Sequence, residues 1–392
     1  MCCLTGFLAW FCRIARMVQS RKAFTLIELL VATVILLAIM AIVMHLVGGI
    51  GQIWKSSTGK ISAFRNARAA FTTVSGTLSR ATLNTYNDYV DASGKYRTAT
   101  AATFFPQQFA RTSDLHFIAG PATSIVPGAV QTTNPGHAIF FQAPLGDTNS
   151  DNLSTLNRSL NSVGFYIQYG LQIDTNVVPP WLQPLAETKR RYRLVQFVEP
   201  TENLKVYGST ANTAYTLTWL QSFKTPFDAA QQPRARILAE DVTLLVLRPR
   251  LSPKDEEAAV VKLGVLYPAT ARGSILSPNY HYDSRAWQDT YPAAARVKAA
   301  PSPVVRSGIM RNQVPPIVDV AMVSVDPQSL ARLDMSTDTP PALLQVPTGL
   351  FADSSKMDQD LQTYCGQLNA AGIRYRLFRT SVTVQGSKWS TD

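Results

Sequence analysis

The chain has 392 residues, and 46% of them are hydrophobic, which is enough to form the core of one large domain or of two ordinary ones. Its formal net charge is +11, but the basic residues are scattered, and clusters such as 189–193 and 234–236 lie in segments that resemble strands. No recognition helix, zinc finger or RNA-binding motif accompanies the charge. We therefore expect no nucleic-acid partner.

A long apolar segment dominates the N-terminal region. From Leu29 to Val47 the chain is apolar except for Thr33 and His45. At 1.5 Å per residue, a helix over this segment would cover about 28 Å, which is the thickness of a bilayer core. Basic residues that favour a cytoplasmic location precede it. They are Arg13, Arg16, Arg21 and Lys22.

A single carboxylate, Glu28, stands at the start of this segment. An ionised carboxylate in a membrane helix is unfavourable unless a positive group pairs with it. If the chain is cleaved after Ala23, the new amino terminus of Phe24 lies four positions from Glu28. In a helical assembly, a neighbouring subunit presents that amine to the carboxylate. This pairing would give Glu28 a role in assembly, and the basic residues Arg21 and Lys22 stand just before the bond between Ala23 and Phe24.

The block from Arg21 to Leu30 resembles the prepilin processing motif of type IV pilins and type II secretion pseudopilins. In that family a membrane peptidase cuts before the Phe and methylates the new amine, which the resemblance places at Phe24. The fifth residue of the processed chain is the Glu, here Glu28. Ala23 stands where the family usually has Gly. The resemblance implies a prepilin peptidase and other prepilin-like subunits as partners, and no cofactor.

The predicted leader comprises residues 1–23, and a start at Met17 would give it the short length that is usual in the family. In that case residues 1–16 would not enter the protein. Removal of the leader with its four basic residues would lower the net charge from +11 to +7.

Two halves of one long helix follow the leader. The transmembrane half is predicted over 24–47 and the amphipathic half over 48–85, where apolar residues recur in three- and four-residue steps. The turn residues Asn84, Asn87 and Asp88 mark the predicted end. The apolar face consists of Ile61, Phe64, Ala67, Phe71, Val74, Leu78 and Ala81. We expect this face to pack against a globular domain.

Residues 86–392 change in character and predict an antiparallel β-sheet domain, because short branched and aromatic segments alternate with turn residues. The strongest strand predictions are Ala138–Gln142, Val163–Tyr169, Tyr192–Val198, Val242–Leu247, Val318–Ser324 and Tyr375–Val384. A second helix is predicted over Met357–Leu368, with Ser354 as its cap and Gly372 beyond its end. The expected fold class is α+β and pilin-like, with a long N-terminal helix packed on an antiparallel sheet.

Residues with catalytic chemistry are few. The histidines are His45, His116, His137 and His281, and none has a second histidine or a cysteine at ligand spacing. The run from His281 to Arg285 carries polar groups useful to a catalyst, but neither a nucleophile elbow nor a phosphate-binding loop accompanies it. Cys365 is alone beyond residue 23 and falls on an apolar helical stripe, which predicts a buried thiol. We therefore expect no enzymatic activity.

One segment partly resembles a calcium loop, because Asp147, Asn149 and Asp151 place oxygen side chains at alternate positions. The pattern then departs from such a loop. Asn152 stands at the sixth place instead of Gly, and Arg158 stands at the twelfth place instead of Glu. An Asx-rich turn is the favoured interpretation, and we assign no metal site.

Wider resemblances indicate the setting. The first eighty residues resemble the J-type minor pseudopilin of type II secretion. More of the chain, including the stretches 314–333, 375–378 and 388–390, is similar to the Verru_Chthon cassette protein C family of prepilin-like proteins. These resemblances imply a structural subunit of an envelope assembly, anchored by a single pass in the bacterial inner membrane. Its C-terminal domain would lie in the periplasm or at the cell surface. The alternative is a ligand-binding or adhesive surface protein with the same anchor that does not polymerise.

Overall fold

The computed structural model describes residues 25–91, 104–171, 190–208, 219, 235–253, 275–277, 279–285 and 311–389. The chain divides into two compact units, Met1–Thr58 and Gly59–Asp392. The helices are α1 (Leu26–Leu78), α2 (Ala122–Ile125), α3 (Pro327–Leu330) and α4 (Met357–Ala370). The strands are β1 (Tyr86–Val90), β2 (Gln108–Thr112), β3 (Ile118–Pro121), β4 (His137–Pro144), β5 (Leu160–Leu171), β6 (Arg190–Glu199), β7 (Ala235–Glu240), β8 (Val242–Arg250), β9 (Tyr282–Asp283), β10 (Ile317–Val325) and β11 (Tyr375–Thr383).

The last part of α1 packs into the core of the second unit through the face that the sequence predicts. Ala67, Val74 and Leu78 are fully buried, and Phe71 is nearly so. Ile61, which was expected on the same face, is exposed. The packed part of the helix therefore begins later than the apolar periodicity does.

Helix α1 ends at Leu78, seven residues before the predicted limit at residue 85. The chain then leaves the helix to pair with the sheet, where Thr82 forms an antiparallel bridge with Gln142 of β4. The side-chain oxygen of Asn84 accepts the backbone N–H groups of residues 114 and 115. Asn84 therefore fixes the connection after the helix, as a turn residue does.

A two-stranded antiparallel ribbon of β1 and β2 follows, and it corrects the expectation that Asn87 and Asp88 lie in a turn. Pairing with β2 outweighs the local preference of these residues for turns, as tertiary context often does in strands. Tyr89 and Phe109 are opposite each other in the ribbon, and their ring centroids are 4.3 Å apart. Both rings are substantially exposed.

The larger sheet has six antiparallel strands in the order β7-β6-β5-β4-β3-β9. Three of its strands contain the predicted segments Ala138–Gln142, Val163–Tyr169 and Tyr192–Val198, and each extends beyond the prediction. Gly164 of β5 lies opposite Phe140 of β4. A Cβ atom on Gly164 would stand 2.1 Å from the Phe140 ring, so the close packing of these strands requires glycine there.

The smaller sheet has three antiparallel strands in the order β11-β10-β8, and a helix lies against each of its faces. On one face, the Phe71 ring of α1 and the Phe378 ring of β11 are 5.7 Å apart. On the other face, Asn369 of α4 donates to the Tyr375 hydroxyl of β11 at 3.4 Å. The remaining three strand predictions fall on β8, β10 and β11. Together with α1, these sheets confirm the α+β, pilin-like fold class.

Helix α4 matches its predicted position, but Ser354 is not its cap. Ser354 lies in a preceding 3-10 turn, and its hydroxyl donates to the Ser277 carbonyl at 2.6 Å. The Asp353 carboxylate caps that turn instead, because it accepts the Ser355 N–H at 3.0 Å. Gly372 follows the helix with φ +69°, the left-handed conformation that favours glycine after a helix end. The buried face of α4 consists of Met357, Leu361, Tyr364, Cys365 and Leu368.

Asp241 joins the two sheets as the single residue between β7 and β8. Its N–H donates to the Tyr192 carbonyl of β6 at 2.7 Å, and its carbonyl accepts the Val325 N–H of β10 at 2.8 Å. Its φ of +59° is a conformation that Asp tolerates better than most residues. Its buried carboxylate accepts a hydrogen bond from Arg191 Nη1 at 2.8 Å. Burial nevertheless raises the pKa of Asp241 to about 6.

Candidate processing and assembly site at the N-terminus

Helix α1 begins with a capping box formed by Thr25 and Glu28. The backbone N–H and the hydroxyl of Thr25 both donate to Glu28 Oε2 at 3.0 Å. In return, the Glu28 N–H donates to the Thr25 hydroxyl oxygen at 3.4 Å, and it also donates to the Thr25 carbonyl at 3.0 Å. The Thr-x-x-Glu spacing is a sequence signature of this motif. One oxygen of Glu28 is therefore satisfied within its own helix, and the assembly role of Glu28 stays a prediction.

The other carboxylate oxygen of Glu28 has a different environment. Oε1 accepts no hydrogen bond from the part of the chain that the structure describes. Glu28 is an exposed residue, so an external group can reach Oε1. One carboxylate thus combines a local role at the helix start with an acceptor site that remains available.

The remaining processing residues lie outside the described residues. They are Arg21, Lys22, Ala23 and Phe24. Their assignment rests on the sequence pattern.

The apolar half of α1 meets the physical requirements of a membrane span. Leu26–Gly48 is a 23-residue segment with a mean hydropathy of 2.9, and no part of its most apolar stretch is buried in the protein. The Thr33 hydroxyl donates to the Leu30 carbonyl at 2.9 Å, which satisfies that polar group within the helix. His45 lies in the same helix and is exposed. A helix that is apolar on all sides is typical of a segment covered by lipid or by other helices.

Comparison with known proteins identifies the N-terminal motif. The prokaryotic N-terminal methylation motif matches residues 19–44, which include the predicted cut site and Glu28. No curated protein and no solved structure matches the chain. The chain therefore carries a type IV prepilin-like N-terminus. The apolar helix is consistent with a single-pass membrane anchor.

A buried histidine, which the sequence pattern does not connect to its partners, lies in the outer domain. His116 Nε2 is 2.7 Å from Asp283 Oδ1, and Trp219 Nε1 donates to His116 Nδ1 at 2.9 Å. Because tryptophan can only donate, Nδ1 must be the acceptor and Nε2 must carry the proton. Burial lowers the pKa of His116, which favours this neutral form. Both ring nitrogens are thus occupied by structural hydrogen bonds.

Two further residues of the run from His281 to Arg285, Ser284 and Arg285, bind the protein's own backbone. Ser284 Oγ accepts the Phe117 N–H at 2.9 Å, and Arg285 Nη2 donates to the Asp114 carbonyl at 2.6 Å. These contacts attach the run to the chain on both sides of His116. The polar groups that resemble a catalytic set in the sequence hold segments together in the fold.

The loop with the incomplete calcium pattern is held by hydrogen bonds. Glu202 accepts the Thr148 hydroxyl at 3.0 Å and the Asn149 N–H at 2.7 Å. The Asp147 carbonyl accepts the side chain of Asn161 at 2.7 Å, and Asp151 begins a short 3-10 turn. Within the described ranges, no three His, Cys, Asp or Glu side chains converge as metal ligands do. The preference for an Asx-rich turn over a calcium site stays a prediction.

The thiol of Cys365 is buried on α4, as predicted, and burial raises its pKa. A buried thiol with a raised pKa is a poor nucleophile, because the thiolate is the reactive form. Buried His137 uses Nδ1 to accept the Leu247 N–H at 2.9 Å. Both residues therefore contribute to packing and hydrogen bonding in the core.

Proposed function

We propose that the chain is a non-enzymatic, minor-pseudopilin-type structural subunit of an envelope-spanning pilus or secretion-type assembly. Its leader is removed after Ala23, Phe24 is N-methylated, and the subunit resides in the bacterial inner membrane. The C-terminal domain lies in the periplasm or at the cell surface, since Arg21 and Lys22 hold the other end in the cytoplasm. The methylation motif and the exposed apolar span support this function.

The observation that carries the proposal is the divided role of the Glu28 carboxylate. Oε2 belongs to the capping box of its own helix, while Oε1 faces outward without a partner among the described residues. Oε1 is thus available to the methylated amine of Phe24 of a neighbouring subunit. In an environment of low polarity, an ion pair of this kind is strong and requires close contact, whereas apolar helix contacts alone do not fix a register.

The capping box allows a test that separates the charge of Glu28 from its local structural role. Glu28→Gln keeps an amide oxygen for the cap but removes the charge, whereas Thr25→Ala weakens the cap and keeps the charge. Incorporation is measured by crosslinking of membranes that contain the variant and its prepilin-like partners. We expect Glu28→Gln to insert normally and to lose incorporation by at least about tenfold, because an unpaired charge remains on the neighbour.

The controls decide between the two roles of Glu28. Thr25→Ala should incorporate almost like the wild type, while Glu28→Ala, which removes both cap and charge, should insert but not incorporate. If Glu28→Gln incorporates as well as the unaltered chain, the charge pair is not the assembly determinant.

Processing is tested directly by mass spectrometry of the N-terminus from envelope fractions. We expect a chain that begins at Phe24 and carries one added methyl group. Ala23→Ile, which places a bulky side chain at the cut, serves as the uncleaved reference. Recovery of uncut wild-type polypeptide throughout would refute the proposed processing.

The alternative function is a membrane-anchored surface protein that binds a ligand or adheres without polymerising. The exposed rings of Tyr89 and Phe109 on the β1–β2 ribbon favour it, because exposed aromatic surface often marks a contact site. Ala23→Ile discriminates between the two functions. An adhesive protein tolerates a retained leader, whereas incorporation in a helical bundle requires the free amine of Phe24.

A further inference from the structure

The three-stranded sheet has one covered edge and one open edge. The covered edge is β8, where the Leu247 N–H donates to His137 of the larger sheet and Arg250 forms a bridge with Ile275. The other edge is β11, which pairs with β10 alone among the residues that the structure describes. A strand edge presents unpaired backbone groups to any extended segment that reaches it.

The register shows which backbone groups of β11 face outward. At its two ends, the Arg374 carbonyl accepts the Asp326 N–H, and the Val384 N–H donates to the Pro316 carbonyl. The even-numbered residues therefore bond to β10, and the odd-numbered residues direct their N–H and carbonyl groups away from it. The outward-facing residues are Tyr375, Leu377, Arg379, Ser381 and Thr383. None of their backbone groups bonds to a residue in the described part of the chain.

A cationic cleft lies at the end of the ladder where β10 stops and β11 begins. Its volume is about 170 Å³, and its lining includes the cations of Lys60, Arg332 and Arg374 and the carboxylate of Asp326. That carboxylate is buried and already engaged, because Oδ2 is 3.6 Å from Lys60 Nζ and Oδ1 accepts the Gln328 N–H. The two arginines are exposed and have no ion-pair partner within the described ranges.

We propose that the open edge of β11 binds an extended acidic segment of a neighbouring prepilin-like subunit, which adds a strand to the sheet and places a carboxylate between Arg332 and Arg374. The outward backbone groups provide the hydrogen bonds of strand addition, and the cleft selects the charge of the segment. The proposal rests on the proposed assembly function in one respect only, namely that the segment comes from a neighbouring subunit.

Charge argues against a second copy of this chain as the occupant. Two β11 edges paired with each other would bring together the arginines that flank and occupy this strand. They are Arg374, Arg376 and Arg379. Like charges opposite each other destabilise paired strands, whereas an acidic strand is complementary to them. The expected occupant therefore differs in sequence from β11.

The test uses the full-length protein in detergent micelles and a fluorescent nine-residue peptide of alternating Thr and Glu. Binding is measured by fluorescence anisotropy against two reference peptides, one with Lys in place of Glu and one with every backbone amide N-methylated. We expect the Glu peptide to bind at least about tenfold more tightly than the Lys peptide, and the N-methylated peptide not to bind. Equal binding of the three peptides, or no binding of the Glu peptide, overturns the proposal.

Matched variants locate the peptide on β11. Thr383→Pro removes an outward-facing N–H and leaves the bonds to β10, so we expect severalfold weaker binding, whereas Thr383→Val keeps the N–H and should bind normally. Arg374→Glu should weaken binding of the Glu peptide by about tenfold and improve binding of the Lys peptide. Unchanged circular dichroism and unfolding temperature establish that the variants are folded.

Two further outcomes are informative. A dimer of the full-length chain that Thr383→Pro dissociates would identify a second copy as the occupant and would overturn the proposal. Peptide binding and the incorporation of Glu28→Gln are measured independently. If the peptide fails to bind while Glu28→Gln still loses incorporation relative to the wild type, this proposal fails and the proposed function stands.

Discussion

Two stretches of the same helix have opposite environments although both are rich in apolar residues. Between Leu26 and Gly48 the side chains are exposed, whereas Ala67, Val74 and Leu78 have no exposed surface. The first stretch is apolar on every side, and the second has a single apolar stripe. An all-round apolar helix needs lipid or other helices, while a striped helix needs one packed face. The distribution of the apolar residues, more than their number, therefore indicates where the partner lies.

The largest effect is expected from a matched pair of substitutions in α1. Leu78→Ala should lower the free energy of unfolding of the outer domain by about 2–5 kcal/mol, because it leaves a cavity in a fully buried position. Leu37→Ala, the same chemical change at a residue that is 66% exposed, should leave that free energy unchanged. Denaturant unfolding in detergent, followed by tryptophan fluorescence, measures both.

The difference is expected because Leu78 packs in the core of the outer domain. Equal losses of unfolding free energy for Leu78→Ala and Leu37→Ala would contradict the comparison. A large effect of Leu37→Ala on the outer domain would mean that the apolar span packs within the protein. Helical content, measured by circular dichroism, is the control, since alanine preserves helix propensity.

The sequence predicts these two environments because each depends on local periodicity. The apolar run from Leu29 to Val47 and the stripe through Ala67 and Leu78 are both visible in the residue order. The six strongest strands are visible for the same reason, since branched and aromatic residues alternate within them. The Thr25–Glu28 capping box is equally visible as a pattern, although the charge of Glu28 by itself points to an intermolecular partner instead.

Other features depend on contacts between distant residues and have no local signature. The ribbon strand β1 contains Asn87 and Asp88, which favour turns, and its pairing with β2 is what makes it extended. His116 meets Asp283 across 167 positions of sequence, so no ligand-like spacing announces the pair. The open edge of β11 follows from the strand order, which the periodicity of a single strand does not contain.

A second pair of substitutions sharpens the comparison at glycines. Gly164→Ala should destabilise the outer domain by about 1–3 kcal/mol, because the new methyl group would overlap the Phe140 ring. Gly59→Ala lies in α1 with no atom within 4 Å of the added methyl group, so it should stabilise the helix by about 0.5–1 kcal/mol. Thermal unfolding of both variants gives the sign of each change. Destabilisation by Gly59→Ala would show a close contact at that position.

The comparison extends to carboxylates, where the expected effect depends on pH. Glu28 is exposed at the start of the apolar span, and one of its oxygens has no partner in the described residues. Asp241 is 2% exposed and pairs with Arg191. A change at Glu28 should therefore leave the unfolding of the outer domain unaffected at every pH, whereas a change at Asp241 should alter it in a pH-dependent manner.

Asp241→Asn should stabilise the outer domain at neutral pH by about 1–2 kcal/mol, less than the full linkage value because Arg191 is partly exposed. Burial raises the pKa of Asp241 in the folded protein to about 6, above its ordinary value of 3.8. The wild type therefore loses stability as the pH rises from about 4 to about 6 and stays constant above that range. Asparagine does not titrate and still offers an oxygen to Arg191. The advantage of the variant should consequently appear within this pH range and be absent below it.

Denaturant unfolding at pH 4 and pH 7.5 measures the difference, and Asp319→Asn is the control of opposite sign. Burial alone would raise the pKa of Asp319, but Ser381 and Arg248 lower it, so that substitution should destabilise the protein at neutral pH. If the difference in unfolding free energy between Asp241→Asn and wild type is the same at both pH values, burial does not destabilise the charged form of Asp241. Asp241 and Glu28 would then differ in exposure alone.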